Sequence, residues 1–502
     1  MKPNFTEPVI FAHVIKQKQR LGDNYLLCKL LLSNTPNSLV IFLIEGKDIP
    51  DTIHALSSDF PQRVLFWTFN FSLSALLKRT QNREKPQEIS GRKKEQNLHA
   101  PHTGSPLKKA IRIGLERSGL SSLLALFFYY HTLKRRFRSL QTVPSIIFTN
   151  GDRHIFLEQA ALKYGIKNDI PTVVLNYTQS ANSESLLIGK MKKTAGVLKS
   201  QISMWGRFLE RLAPQNYIYD GSERFSFYTP EVAVTLKLFG TLSENPWEMG
   251  CGKSRYIMAS SLEEKESWVK RGVKTEKILV APTLAQIYLQ KSFNNKKLIL
   301  NNMMREDGLD ISRQNLVFAV SQLWEHGMID DKHHFYNQLL DIVKSLRTTG
   351  CNLFLSLHPK MKKDDYLFLE GERTKILNKR LHDVLPVFDL LVAVNSSTLY
   401  WAVACGIPSV NLNFWGLDTS IYASYESINN VTNIDQMLGV VSCLLSQDNS
   451  SAIEFDQKLT GYALKHDNNL EAEFIRKILS LSTGDQANIE PLHESLSTEG
   501  NQ

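Results

Sequence analysis

Short apolar runs, rich in β-branched and aromatic residues, recur along this chain, each separated from the next by a stretch long enough for a helix. Val9–Ile15, Leu39–Glu45 and Val64–Phe69 set the pattern, and Pro144–Thr149, Thr172–Asn176, Tyr256–Ser260 and Lys277–Ala281 resume it. Runs of this kind are buried on both faces, the signature of parallel strands with helices packed above and below. A second series follows in Leu316–Gln322, Asn352–Leu357, Asp389–Val394 and Ser409–Phe414, with helical patterns over Phe335–Arg347, Leu381–Phe388 and Thr398–Cys405 between them. A chain of 502 residues is too long for one core, so two α/β domains are expected. Residues 1–285 form the first and 313–455 the second. A polar, Asn-rich link over 286–312 joins them, and a C-terminal helix (456–481) precedes a Ser/Thr/Glu/Gln-rich tail (482–502) expected to be disordered.

The rhythm breaks once. From about Lys78 to Leu107 the chain turns to Gln, Lys, Arg, Glu, Gly, Pro and Ser, which reads as a surface insertion. The basic stretch continues to Arg138 and holds much of the net charge of +9. Such a segment attracts an anionic surface: a membrane, a nucleic acid or an acidic glycan. No aromatic residue is interleaved between Lys78 and Arg117, so base stacking has no platform and nucleic acid is not expected as a partner. The run Leu120–Tyr130 is too short to cross a bilayer. It suits either a core helix with a solvated basic end or a helix lying in a membrane interface. Five scattered cysteines without C-x-x-C spacing, and an N-terminus without a signal peptide, suggest a cytoplasmic protein, and the basic stretch suits a peripheral place on the inner membrane face.

In a parallel α/β sheet, ligands bind beyond the carboxyl ends of the strands, where helix N-termini point N–H groups into the crevice. Two polar clusters fall there in the second series. Ser356-Leu357-His358-Pro359-Lys360 follows one strand, and Asn395-Ser396-Ser397-Thr398 follows another and opens a helix. Ser396 or Ser397 can cap that helix, Gly406 suits its left-handed C-terminal position and Pro408 stops it. Small hydroxyls, free N–H groups and a nearby His or Lys make a phosphate site. Helix capping alone would explain isolated serines. Two clusters on consecutive loops favour binding.

The run "LFLSLHPKM … VAVNSSTLYWAVACGIPSVNLNFWG" resembles the donor half of GT-B glycosyltransferases, above all bacterial surface-polysaccharide enzymes with an HP and a later S-S/T motif. Sialyltransferases, Kdo transferases and CDP-glycerol polymerases look similar here. The resemblance implies two Rossmann-like domains facing across a cleft, with the basic insertion in the first. It implies that His358, Pro359 and Lys360, with Asn395, Ser396, Ser397 and Thr398, bind the phosphates of a CMP- or UDP-linked sugar. The acceptor would be a surface glycan of capsule or lipopolysaccharide type, or a lipid-linked sugar. UDP-N-acetylglucosamine 2-epimerases share the fold but usually read Asp-Ser-Gly-Gly at the second loop, which departs from Asn395–Thr398.

Three further groups complete the candidates. Glu325 and His326, after the first strand of the second series, could protonate the departing phosphate or orient a sugar. Asn150-Gly151-Asp152-Arg153-His154, with Glu158 one turn on, could supply the catalytic base through Asp152 or His154. Arg153 would then bind an anionic group, as could His13 at the end of the first strand, unless it is a buried structural histidine. Gly250-Cys251-Gly252-Lys253-Ser254 only mimics a phosphate loop. The required first glycine is replaced by Trp247, and a strand follows the loop instead of preceding it. No Asp-x-Asp motif stands at a strand end, so neither a catalytic metal nor a cofactor is expected. The remaining readings are a nucleotide-sugar epimerase or hydrolase, or a non-catalytic polyanion binder.

Overall fold

The computed structural model describes residues 9–15, 21–46, 49, 51–71, 120–154, 156–175, 204–220, 223–307, 310–324, 329, 331–358, 361–417, 419–461, 463–465 and 469–483. In the first half lie β1 (Ile10–Ile15), β2 (Leu39–Glu45), β3 (Val64–Phe69), β4 (Ile146–Thr149), β5 (Thr172–Val174), a hairpin of β6 (Tyr217–Asp220) and β7 (Glu223–Ser226), β8 (Tyr256–Ala259) and β9 (Ile278–Val280). The second half contributes β10 (Asn315–Val320), β11 (Asn352–Leu357), β12 (Thr374–Ile376), β13 (Leu390–Ala393), β14 (Ser409–Leu412) and β15 (Ile428–Val431). The first sheet has the order β3-β2-β1-β4-β5-β8-β9 and the second β12-β11-β10-β13-β14-β15, with every pair parallel. Both sheets therefore run outward from their first strand in one direction and then reverse. Each has one switch point, between β1 and β4 in the first and between β10 and β13 in the second.

The helices are α1 (Leu21–Asn34), α2 (Asp51–Asp59), α3 (Leu120–Ser139), α4 (Leu157–Lys167), α5 (Met204–Leu212), α6 (Pro230–Phe239), α7 (Leu262–Lys270), α8 (Leu284–Asn294) and α9 (Lys296–Asp307). The second half adds α10 (Lys332–Arg347), α11 (Leu381–Val384), α12 (Thr398–Cys405), α13 (Ile434–Ser446), α14 (Ser450–Thr460) and α15 (Leu470–Thr483). Leu26, Leu27, Cys28, Leu30, Leu31 and Leu32 of α1 are all buried, because this helix is packed on more than one side. In α3 the buried residues Ala125, Tyr129, Leu133 and Phe137 recur every fourth position and seat the helix on the first sheet. The same helix leaves Leu120, Phe127 and Phe128 exposed, so it is a core helix on one stripe and an apolar surface on another. Among the described residues no helix is long and apolar enough to cross a membrane.

Three expectations need correction. The link expected as an irregular polar stretch is helical, since α8 and α9 span it and Leu284, Ile287 and Leu289 are buried. Thr283 starts α8 with a reciprocal capping box to Gln286, which the polar composition concealed. The helix expected from Arg153 begins at Leu157 and continues through Gly165 to Lys167. The single C-terminal helix is two, α14 and α15, and α15 packs back against α1 and α8 of the first half. There Glu471 receives Lys291 at 3.1 Å and the Asn34 amide at 3.4 Å. Most of the tail, from residue 484, lies outside the described residues, as does the insertion from 72 to 119.

Candidate active site

At the switch point of the second sheet, the loops after β10 and β13 are stapled together. The Ser321 hydroxyl donates to the Val394 carbonyl at 2.8 Å. Gln322 reaches sideways to the loop after β11, its amide nitrogen 3.2 Å from Nε2 of half-buried His358. Asn395 adopts φ +39°, a left-handed conformation that Asn tolerates better than most residues. Its N–H donates to Asn411 Oδ1 at 2.8 Å, and the Asn411 amide donates to Asn430 Oδ1 at 2.8 Å. The Ser396 carbonyl accepts from Tyr422 Oη at 3.1 Å. The Ser396 hydroxyl accepts from Thr398 N at 3.3 Å and Thr398 Oγ1 at 3.0 Å, whereas Ser397 has helical dihedrals and makes no side-chain cap. Of the two serines proposed as the cap, Ser396 thus faces the helix. Gly406 ends α12 at φ +73°, as its position in the sequence indicates.

This arrangement presents half-buried small polar groups at the N-terminus of α12, with an imidazole two strands away. Backbone N–H groups and the helix dipole favour a phosphate there. Pro359 and Lys360 of the same motif, and Glu325 and His326, lie outside the described residues. Gln322, Ser321 and Tyr422 were not singled out from the sequence. Gln322 could have been, since it directly follows a buried strand.

At the switch point of the first sheet, Asn150 Nδ2 donates to the Val14 carbonyl at 3.2 Å, a staple comparable to Ser321. The residues after it divide sharply. Asp152 is fully buried: its carboxylate accepts from Gly250 N at 3.2 Å, Gly252 N at 2.8 Å and Ser254 Oγ at 3.0 Å. The segment that mimics a phosphate loop therefore wraps an anion from within the chain. A Cβ on Gly252 would lie 2.5 Å from Asp152 Cγ, so only glycine fits. A carboxylate enclosed in this way cannot serve as the base, which corrects that expectation. Arg153 is likewise committed: its guanidinium donates to the Pro246 carbonyl at 3.2 Å and the Trp247 carbonyl at 2.5 Å, and it lies over the Phe227 ring. It is a structural strut, not an anion site.

His154 differs. Its side chain is 36% exposed, and Nδ1 lies 2.8 Å from Oε2 of Glu158, which is buried. The two atoms approach closely at angles outside those of a hydrogen bond. Glu158 Oε1 accepts from Asn150 N at 3.1 Å, which anchors the carboxylate. A Cβ at Gly151 would come within 2.8 Å of His154 Nδ1, so the glycine makes room for the ring. Phe156 closes the loop at φ +69°, a costly conformation for an aromatic residue.

His13 is 1% exposed in the middle of β1, with Nε2 2.6 Å from Asn24 Oδ1 and its ring between Phe42 and Phe148. Burial lowers its pKa to about 4, with the bonds to Asn24 and Phe148 opposing. A neutral, enclosed imidazole binds no anion, which corrects that second expectation. The unfolded chain binds the proton at the ordinary pKa of 6.5 and the folded one only near 4, so stability is full above pH 6.5 and falls as pH drops towards 4. The loss is on the order of 3 kcal/mol. In a His13→Asn variant, the slope of unfolding free energy between those pH values should flatten.

The loops after β8 and β9 face α12. Ser260, Ser261, Thr283 and Gln286 of the first half face Tyr400, Trp401 and Ala404 across a gap of about 20 Å³, room for roughly one water. Tyr425 Oη donates to Glu263 Oε2 across the same seam. Among the described residues no group of three or more His, Cys, Asp or Glu could hold a metal ion.

No family model and no curated protein matches the chain. Solved structures are similar over nearly its whole length. UDP-GlcNAc 2-epimerase from Neisseria meningitidis bound to UDP-GlcNAc is 8% identical, covering 95% of this chain and 100% of that one, with a TM-score of 0.49. Medicago truncatula UGT71G1 complexed with UDP-glucose is 10% identical over 95% and 98%, with a TM-score of 0.48. CalG4, the calicheamicin glycosyltransferase, is 10% identical over 94% and 98%, with a TM-score of 0.46. At that similarity neither a family nor a reaction follows. The two-sheet architecture stands on its own strand order.

Proposed function

We propose that the protein is a glycosyltransferase moving a sugar from a nucleotide-sugar donor to a hydroxyl of a surface-polysaccharide or lipid-linked glycan. The observation that carries this reading is the division of chemistry between the two switch points. One holds small hydroxyls at a helix N-terminus with His358 two strands away on the same edge, which suits a phosphate leaving group. The other holds a half-exposed imidazole against a buried carboxylate, which suits removal of a proton from an incoming hydroxyl. In this scheme His154 Nε2 takes the acceptor proton and the acceptor oxygen attacks the sugar carbon. The bond from that carbon to the phosphate breaks, with its electron pair passing to the phosphate beside α12. Ser396, Ser397, Thr398 and His358 bind that charge, together with Lys360 and Asn395 of the same loops, Pro359 being the residue between His358 and Lys360 in the motif. Glu325 and His326, on the next loop of that edge, remain candidates for assisting the leaving group. No metal or cofactor enters the scheme.

Thermal unfolding with CMP, CDP, UDP and GDP, and with their sugars, tests the donor half. A ligand that binds only the folded state at 100 times its Kd adds about 2.7 kcal/mol of stability. At least one nucleotide should raise the midpoint, and His358→Ala should reduce the rise. If none does, or if the variant responds equally, the reading fails. Incubating the stabilising nucleotide sugar without an acceptor separates the epimerase alternative, which would convert it to a new sugar.

A further inference from the structure

The third, fifth and sixth helices pack together on the flank of the first sheet. Leu126 of α3, Ala213 just after α5, and Leu236 and Phe239 of α6 form one buried cluster. Leu238 of α6 lies between two contacts that fix its direction. Lys237, one residue before, donates to the Leu212 carbonyl of α5 at 2.6 Å, and Phe239, one residue after, meets Phe127 of α3 edge-on at 5.5 Å. Successive helical residues are about 100° apart, so Leu238 points away from both of those contacts, on the outer side of α6. It is 74% exposed, and Phe208 of α5 is 52% and Phe127 of α3 44% exposed. Along α3 an open groove of about 800 Å³ has Phe71, Leu124, Phe127 and Phe128 on its apolar side and His131 and Arg135 on its polar side.

The charge on α3 is one-sided, and on α5 and α6 basic residues stand beside Glu210 and Glu231. The sequence of α3 contains no acid and carries Lys134, Arg135, Arg136 and Arg138. Arg136 is engaged with the Thr68 carbonyl and the Phe69 ring. On α5, Arg207 and Arg211 flank Glu210, which is paired with Arg224 at 2.5 Å.

We propose that the face formed by α3, α5 and α6 docks on an anionic phospholipid bilayer. Exposed Phe and Leu side chains enter the boundary between headgroups and acyl chains, while the cations meet lipid phosphates. Leu238 and Leu212 decide against a nucleic acid. Aliphatic side chains gain nothing from stacking on bases, but they gain from leaving water for hydrocarbon. This inference is independent of the glycosyltransferase reading.

Flotation of the full chain with vesicles tests it. Phosphatidylcholine vesicles containing phosphatidylglycerol should capture the protein, and phosphatidylcholine alone should capture much less. Leu238→Ser/Phe208→Ser removes apolar surface that is already exposed, and should lower partitioning about tenfold with unchanged circular dichroism and melting. Arg135→Glu/Arg138→Glu/Arg207→Glu should lower it further, since each cation near an anionic surface multiplies binding about fivefold. Equal capture of wild type and both variants would overturn the proposal. So would a dimer in solution that dissolves with the Leu238/Phe208 substitutions, or tight binding of an oligonucleotide with no capture by vesicles.

Discussion

Replacing Asp152 by alanine is expected to lower the unfolding free energy by about 3–5 kcal/mol, a larger loss than from any other polar substitution considered for this protein. The substitution strips the partner from two backbone N–H groups and one hydroxyl, on Gly250, Gly252 and Ser254, inside a buried loop. Lys277 sits behind that loop, donating to the Gly250 carbonyl at 2.5 Å and the Gly252 carbonyl at 2.8 Å. Burial lowers its pKa and the Asp152 charge raises it, so removing Asp152 also withdraws a charge that favours this half-buried cation. Asp152→Asn should behave similarly, because an amide turns an N–H towards groups that are themselves donors. Urea unfolding of the variants is the measurement. A loss under about 1 kcal/mol would show that the loop is held by other means.

The second large effect is on turnover. His154→Ala should reduce kcat by about 10²–10⁴, the usual contribution of a positioned base, while leaving nucleotide binding and melting near wild type. Glu158→Gln is the sharper variant. It can still accept from Asn150 N, so the loop stays anchored, but the charge beside Nδ1 is gone. Its kcat should fall less than that of His154→Ala. Wild-type turnover in His154→Ala would sink the assignment of the base.

The sequence and the structure agree best where one side chain's role is set by its neighbours in the chain. The strands of both sheets fall within a residue or two of their apolar runs, and Thr398–Cys405 is the helix its caps and glycine indicate. The edge strands β12 and β15 and the hairpin were not legible, since polar residues in Thr374–Ile376, Ile428–Val431 and Tyr217–Ser226 leave no apolar run to read. The base was obscured for a different reason. Asp152, Arg153 and His154 are consecutive, and any of them could have faced the cleft. What turns Asp152 inward is a set of N–H groups about a hundred residues later, and what turns Arg153 aside is the carbonyls of Pro246 and Trp247. Partners at such separation leave no local pattern. Glycine was the one available sign, since Gly252 and Gly151 each stand where a side chain would collide with the group they shelter.

The return of the last described helix to the first half has a consequence for biosynthesis. Leu470, Phe474, Ile478 and Leu481 of α15 share one core with Leu27 and Leu31 of α1 and Ile287 of α8. A ribosome that has finished α8 must still translate the whole second half before it reaches α15. At about 5–20 residues per second that interval is roughly 10–35 s. Throughout it the nascent first half lacks the helix that covers part of its apolar surface, so it emerges as a client for holding chaperones. A premature stop within the second half would leave that surface permanently open.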